Sequence, residues 1–92
     1  MNLYTFVLEF EGGTYVSQVE AASVELAPSA WATAITPGTT QGMPDASLRE
    51  LCEAIAEQVP VRLDGLQQVW CISPLVRGRM ALVHFVLTAR PA

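Results

Sequence analysis

His84, Cys52 and Cys71 are the side chains of this sequence best suited to act as a general base, a nucleophile or a metal ligand. The strand pairing derived below sets Cys71 opposite His84 and leaves Cys52 on the helical side. A metal site would need further ligands, and a catalytic thiol would need a group to orient its base. We therefore interpret His84 as a hydrogen-bonded histidine at a sheet surface or dimer interface. No metal, cofactor or catalytic residue is predicted.

Three carboxylates, Glu9, Glu11 and Glu20, are expected on the outward face of an N-terminal hairpin. Paired carboxylates can perform acid–base chemistry or bind a hard cation. An open sheet face lacks the water-poor pocket that shifts carboxyl pKa values. The interpretation is a solvated face that discourages edge pairing, and the alternative is an acidic surface that docks a basic partner.

Arg77 and Arg79 flank Gly78 at the tip of a predicted C-terminal hairpin. Such a tip can bind an acidic partner or a phosphate, although exposed turns also collect charges for solubility alone. Two arginines are too few for a nucleic-acid footprint. Gly12-Gly13 is followed by no phosphate-binding signature and is interpreted as a turn.

Charge is unevenly distributed along the chain. Residues 1–48 carry five acidic and no basic residues, whereas residues 49–92 carry five arginines and four acidic residues. This distribution argues against nucleic acid as a ligand. No apolar run is long enough to span a membrane, and no basic leader precedes one, so a cytoplasmic protein with reduced cysteines is expected.

The N-terminal segment predicts a β-hairpin. Leu3–Glu11 and Thr14–Ala21 are rich in β-forming residues and flank Gly12-Gly13, a two-residue loop suited to a type I′ turn. This turn would place Phe10 opposite Tyr15. One face is then aromatic and apolar and the other mostly polar and acidic, which is typical of a half-buried antiparallel pair.

Two helices are expected in the middle of the chain. The first is short and begins near Pro28, which is tolerated in a first turn. The second is amphipathic, with Ser47 and Glu50 as a capping box and Pro60 as its end. The intervening Thr36–Pro44, rich in glycine and proline, predicts a mobile loop.

The C-terminal part predicts further strands. A short strand at Val61–Leu63 and an Asp64-Gly65 turn precede Leu66–Ser73 and Met80–Thr88, which Arg77-Gly78 joins. The pairing sets Trp70 against Phe85, Ile72 against Val83 and Cys71 against His84, although a bulge at Pro74 would shift it. The face away from the core stays apolar. Its residues are Val69, Cys71, Leu82, His84 and Val86.

The order of elements predicts one α+β domain over residues 1–92, with both helices on one face of an antiparallel sheet of four or five strands. The last strand is apolar on both faces, so it is either central in the sheet or covered by a second subunit. The chain is 51% apolar and only 15% charged, which favours self-association.

The segment YTFVLEFEGGTYVSQVEA is loosely similar to the beginning of HicB-type antitoxins. The resemblance covers about the first 35 residues. No Pro-Gly-Cys run follows the second strand, no Gly-x-Thr precedes the helix, and the C-terminal half has no counterpart. The chain is therefore not assigned to that family.

These observations predict a non-enzymatic protein-interaction module that forms a homodimer through the apolar C-terminal face. One alternative is an immunity-like or antitoxin-like protein that neutralises a basic partner through its acidic N-terminal face. The possible partner contacts are Glu9, Glu11 and Glu20 on that face and Arg77 and Arg79 at the C-terminal hairpin tip. The other is a small ligand-binding domain or enzyme that uses His84.

Overall fold

A computed structural model describes residues 1–35 and 43–90, and these form a five-stranded antiparallel sheet, a two-stranded sheet and two helices. The α+β class predicted from the sequence is confirmed. The elements in chain order are β1 (Asn2–Phe10), β2 (Gly13–Ala21), α1 (Ala27–Ala34), α2 (Asp45–Ile55), β3 (Val61–Arg62), β4 (Val69–Ile72), β5 (Leu75–Val76), β6 (Arg79–Met80) and β7 (Leu82–Thr88). Most of the loop predicted at Thr36–Pro44 lies outside the described residues.

The five-stranded sheet has the strand order β2-β1-β7-β4-β3. The two ends of the chain therefore meet, because β1 and β7 pair along their length from Leu3↔Thr88 to Glu9↔Leu82. This order makes β7 the middle strand. Of the two explanations offered for its apolar residues on both faces, the central position is the one observed in the sheet.

The β1–β2 turn lies one residue earlier than predicted, and this shifts the strand pairing by two residues. Phe10 pairs with Gly13, so the loop is Glu11-Gly12, and both loop residues have positive φ (48° and 82°) as a type I′ turn requires. Gly13 is instead a strand residue on which the Tyr15 ring lies, since a Cβ there would be 2.6 Å from the Tyr15 hydroxyl. A shift of two residues preserves the alternation, so every side chain keeps its predicted face.

The C-terminal pairing agrees with the prediction. Cys71 pairs with His84, and Trp70 and Ile72 pair with Phe85 and Val83. The same register continues past Pro74, whose carbonyl accepts the Ala81 amide at 2.9 Å, into the small β5–β6 sheet. No bulge interrupts this ladder. The paired segments are shorter than predicted, however, and β4 covers only Val69–Ile72 of the expected Leu66–Ser73.

Helix α1 begins at Ala27 with Pro28 in its first turn, as expected for a residue that has no amide hydrogen. The helix packs through Ala27, Pro28 and Trp31, whereas Leu26 before it is 56% exposed. The Trp31 ring stacks on Phe6 at 4.7 Å and fixes α1 against the sheet.

Helix α2 differs from the prediction at both ends. Pro44 occupies the N-cap position and no side chain caps the helix, so the Ser47–Glu50 capping box is wrong. Ser47 lies inside the first turn and is buried. The helix ends at Ile55 rather than at Pro60, which leaves Val59 79% exposed. Leu48, Leu51 and Ile55 form its buried side.

The core lies between the helices and the inner face of the sheet. The inner face is defined as the side that carries Tyr4, Phe6, Leu8, Phe10, Ile72, Val83 and Phe85. These residues are buried under α1 and α2, and an aromatic cluster fills the centre. The opposite side of the same sheet is described next.

Candidate functional site

The outer face of the sheet, on the side away from α1 and α2, carries apolar side chains from all five strands. Within residues 1–35 and 43–90, neither helix packs over it. Its residues are Leu3, Thr5, Val7, Glu9, Thr14, Val16, Gln18, Glu20, Val61, Val69, Cys71, Leu82, His84, Val86 and Thr88.

The five residues predicted as an interface come together at the centre of this outer face. His84 lies opposite Cys71, and Val86 lies opposite Val69, on the neighbouring strands β7 and β4. Leu82 precedes His84 by two positions and shares its side of the strand. All five side chains are partly exposed rather than buried, so the chain itself leaves this surface open.

One row of this face crosses all five strands. In order from β2 to β3 it contains Val16, Val7, His84, Cys71 and Val61. The two valines at its ends are strongly exposed, with Val16 at 63% and Val61 at 61%. Sequence reasoning missed Val7, Val16 and Val61, because their common row appears only when β1 is known to pair with β7.

Polar residues border the apolar row on one side. The Thr5 and Thr88 hydroxyls are 2.6 Å apart, and the Gln18 amide donates to the Thr5 hydroxyl at 3.0 Å. Beyond them, Arg90 forms an ion pair with Glu20 at 3.0 Å. The arrangement, with an apolar centre and a polar rim, is the one found in protein–protein interfaces.

His84 and Cys71 are brought together as predicted. They form a pair between the hydrogen-bonded pairs Trp70–Phe85 and Ile72–Val83, a position where opposing side chains approach most closely. The direct neighbours of His84 along and across the strands are apolar apart from Cys71. No group of three metal-ligating side chains occurs among the described residues. Within the part of the chain that the structure describes, no third ligand of these types completes a metal site with the pair.

Cys52 lies on the other side of the sheet, in the helical layer. Its thiol donates to the Ala32 carbonyl at 3.4 Å, which joins α2 to α1. Burial raises the pKa of this thiol above its ordinary value, and the neighbouring Glu53 carboxylate adds to the effect. A raised pKa lowers the thiolate fraction, so Cys52 has the properties of a packing residue rather than of a nucleophile.

The three carboxylates predicted as an acidic cluster do not all lie together, because Glu20 is far from Glu9, whereas Glu11 follows Glu9 by two residues. Glu9 and Glu20 lie near opposite ends of the outer face, beside Thr14 and Leu3 respectively. They are six strand positions apart, which is roughly 20 Å. Glu11 lies in the β1–β2 turn instead.

The two arginines of the C-terminal hairpin lie beside acidic residues of the same chain. The Arg79 side chain pairs with Glu11 at 3.3 Å, so the tips of the two hairpins are joined. The Arg77 backbone amide donates to the Glu50 carboxylate on α2. Part of the charge proposed for partner contacts is therefore balanced within the chain.

Comparisons with protein-family models, with curated proteins and with solved structures found no match to this chain. The resemblance of the first strands to HicB-type antitoxins thus gains no support from these comparisons. No helix of residues 1–35 and 43–90 combines the length and the apolar character needed to cross a membrane.

Proposed function

We propose that this chain is a non-enzymatic protein-interaction module that forms a homodimer through the outer face of its sheet. The observation that carries the proposal is the apolar row from Val16 to Val61, which no described helix covers. A sheet exposes one apolar face to water only at a cost in hydration free energy, and burial against another surface removes that cost. We place the dimer in the cytoplasm as part of the same proposal.

The size of the outer face is adequate for a second copy. The five strands contain 9, 9, 7, 4 and 2 residues. At about 4.8 Å between strands and about 3.4 Å per residue, they give a projected area of roughly 500 Å². Two copies then bury on the order of 1,000 Å², the lower limit for a specific interface. Two sheets stacked face to face are a common solution in β-sandwiches.

The charges on the outer face are compatible with this arrangement. Its centre, formed by His84, Cys71 and Val86, contains no carboxylate and no arginine. Glu9 and Glu20 lie towards the ends, where water still reaches them. A two-fold axis near His84 would keep the carboxylates at the rim, and interfaces tolerate charge there.

The alternative of an enzyme or ligand-binding domain that uses His84 has less support. The histidine lies on an open sheet face beside Cys71, and among the described residues no ion pair joins it to a carboxylate. General acid–base catalysis works best in a concave site that excludes water. An open apolar surface favours recognition of another surface.

Sedimentation analysis of the wild type at concentrations up to hundreds of micromolar tests the proposal. We expect a dimer that Val86→Asp dissociates, because the change buries an uncompensated carboxylate at the centre of the interface. Leu26→Asp is the control, since Leu26 is 56% exposed at the start of α1, in the helical layer on the other side of the sheet. Val86→Thr keeps the β-branched shape and weakens the dimer less.

Circular dichroism confirms that each variant is folded before its mass is interpreted. A wild type that stays monomeric at the highest concentration would refute the dimer. So would a Val86→Asp variant that is folded and still dimeric.

A further inference from the structure

The two edges of the five-stranded sheet are built differently. The β3 edge has only two residues, follows directly after Pro60 and contains Arg62. Short strands, proline and charge are the usual means of preventing an edge from pairing with another chain. The β2 edge extends over nine residues, has no proline, no lysine and no arginine, and pairs with β1 in unbroken register.

The backbone groups that β2 presents to solvent follow from its hairpin. The pair that closes a two-residue loop, Phe10 and Gly13, is hydrogen-bonded, and such pairs alternate along the ladder. The amides and carbonyls that point away from β1 therefore belong to the even-numbered residues of β2. These are Thr14, Val16, Gln18 and Glu20.

No strand of residues 1–35 and 43–90 pairs with β2 on its free side. The outward amide and carbonyl groups of these four residues can therefore form hydrogen bonds with one extended segment. We propose that the β2 edge binds an extended segment of another protein, which adds as a sixth strand and carries basic residues. This site is the backbone edge of β2, whereas the proposed dimer uses the side chains of the outer face, to which Val16 also belongs.

A second copy of β2 fits this edge poorly for a steric reason. Helix α1 packs over β2, and the Trp31 indole of α1 donates a hydrogen bond to the Ser17 hydroxyl of β2 at 2.8 Å. Two β2 strands paired with each other would be about 5 Å apart. Packed helices need about 8–10 Å between their axes, so the two α1 helices would collide. A segment without a helix above it avoids this collision.

Charge also favours a foreign, basic segment. Residues 1–48 contain five acidic and no basic residues. Glu9 lies beside Thr14 on the adjacent strand and gives that end of the edge a negative charge, whereas Glu20 at the other end of β2 pairs with Arg90. A second β2 would bring its Glu20 next to Thr14 and hence towards Glu9, whereas an arginine or lysine there is attracted. Between these ends, the exposed Val16 favours an apolar partner residue.

Selection from a displayed library of random peptides, each about as long as β2, tests this proposal with the full chain. Val16→Pro is the discriminating variant, because it removes an outward amide and leaves the hydrogen bonds to β1 intact. Val16→Thr is its matched control, since it also replaces the valine side chain but keeps the backbone amide. We expect selected peptides to alternate in polarity and to contain arginine or lysine.

We expect Val16→Pro to weaken binding of these peptides roughly tenfold relative to Val16→Thr. Methylation of the peptide amides that point towards β2 should weaken binding, and methylation of the amides that point away from β2 should not. On binding, hydrogen exchange should slow at the amides of Val16 and Gln18. Proton chemical shifts confirm that Val16→Pro retains the β1–β2 hairpin before its affinity is compared.

Three results would overturn the proposal. The first is a selection that yields no peptide, or only acidic ones. The second is equal affinity of the selected peptides for Val16→Pro and Val16→Thr. The third is self-association that Val16→Pro abolishes and Val16→Thr retains, which would make a second copy the occupant of the edge. None of these results bears on whether Val86→Asp dissociates the dimer, so the two proposals fail independently.

Discussion

Phe6 and Phe85 are directly opposite on the adjacent strands β1 and β7, with parallel rings whose centroids are 4.5 Å apart. The Trp31 ring of α1 also stacks on Phe6, at 4.7 Å. Phe6 therefore connects the first strand, the last strand and the first helix, and it has no exposed surface. The contact thus joins strands that are far apart in the sequence.

Replacement of Phe6 tests how much this stack contributes to stability. Phe6→Ala should lower the free energy of unfolding by about 3–5 kcal/mol, because it removes buried apolar surface and leaves a cavity. Phe6→Leu should cost less, since it retains most of the volume. Urea unfolding at one fixed protein concentration measures both, as dimerisation makes the apparent stability depend on concentration. A Phe6→Ala loss no larger than that of Phe6→Leu would contradict this role of the ring.

The β1–β2 turn offers a second test, because Glu11 adopts a left-handed conformation (φ 48°) that is unfavourable for glutamate. Glu11→Asn should raise the free energy of unfolding by about 0.5–1 kcal/mol, since Asn-Gly is the preferred type I′ pair. Loss of the ion pair with Arg79 offsets this gain only slightly, because both side chains are largely exposed.

Gly12→Ala is the converse control for the turn. Gly12 has φ of 82° and nothing lies within 4 Å of an added Cβ, so any effect comes from the backbone conformation alone. We expect a loss of about 1 kcal/mol or more in the same unfolding measurement. An unchanged stability of Gly12→Ala would show that the turn does not require the left-handed conformation.

Local patterns predicted the two faces of β1, β2, β4 and β7 but not the arrangement of the strands. The predicted pairing of β1 with β2 was wrong by two residues, which is one full period of the alternation. Phe6 and Val7 therefore still fell on their predicted, opposite faces. The pairing of Val7 with His84 joins residues far apart in sequence, and no turn signal encodes it. Of the apolar row on the outer face, the sequence therefore predicted only the pair His84 and Cys71 on β7 and β4 as part of an interface.

Helix ends were predicted poorly for a related reason. The Ser47–Glu50 spacing matched a capping box, yet Pro44 takes the cap position and Ser47 is buried. Packing of Leu48 and Leu51 against the sheet sets where α2 begins, and tertiary packing outweighs a cap that is worth about 1 kcal/mol.

The thiol of Cys52 predicts a specific dependence of stability on pH. Burial, with a contribution from Glu53, raises its pKa above the ordinary value of 9.0, so the folded chain favours the neutral thiol. As the pH rises, the thiol ionises first in the unfolded chain. This ionisation lowers the free energy of the unfolded state but not that of the folded state, so the free energy of unfolding falls. The stabilisation is therefore complete below the ordinary pKa and is lost as the pH rises through the raised one. Denaturant unfolding from neutral pH to about pH 10 should show a steeper loss for the wild type than for Cys52→Ala. Because all other titrating groups are shared, equal slopes for the two proteins would show that burial does not perturb this thiol.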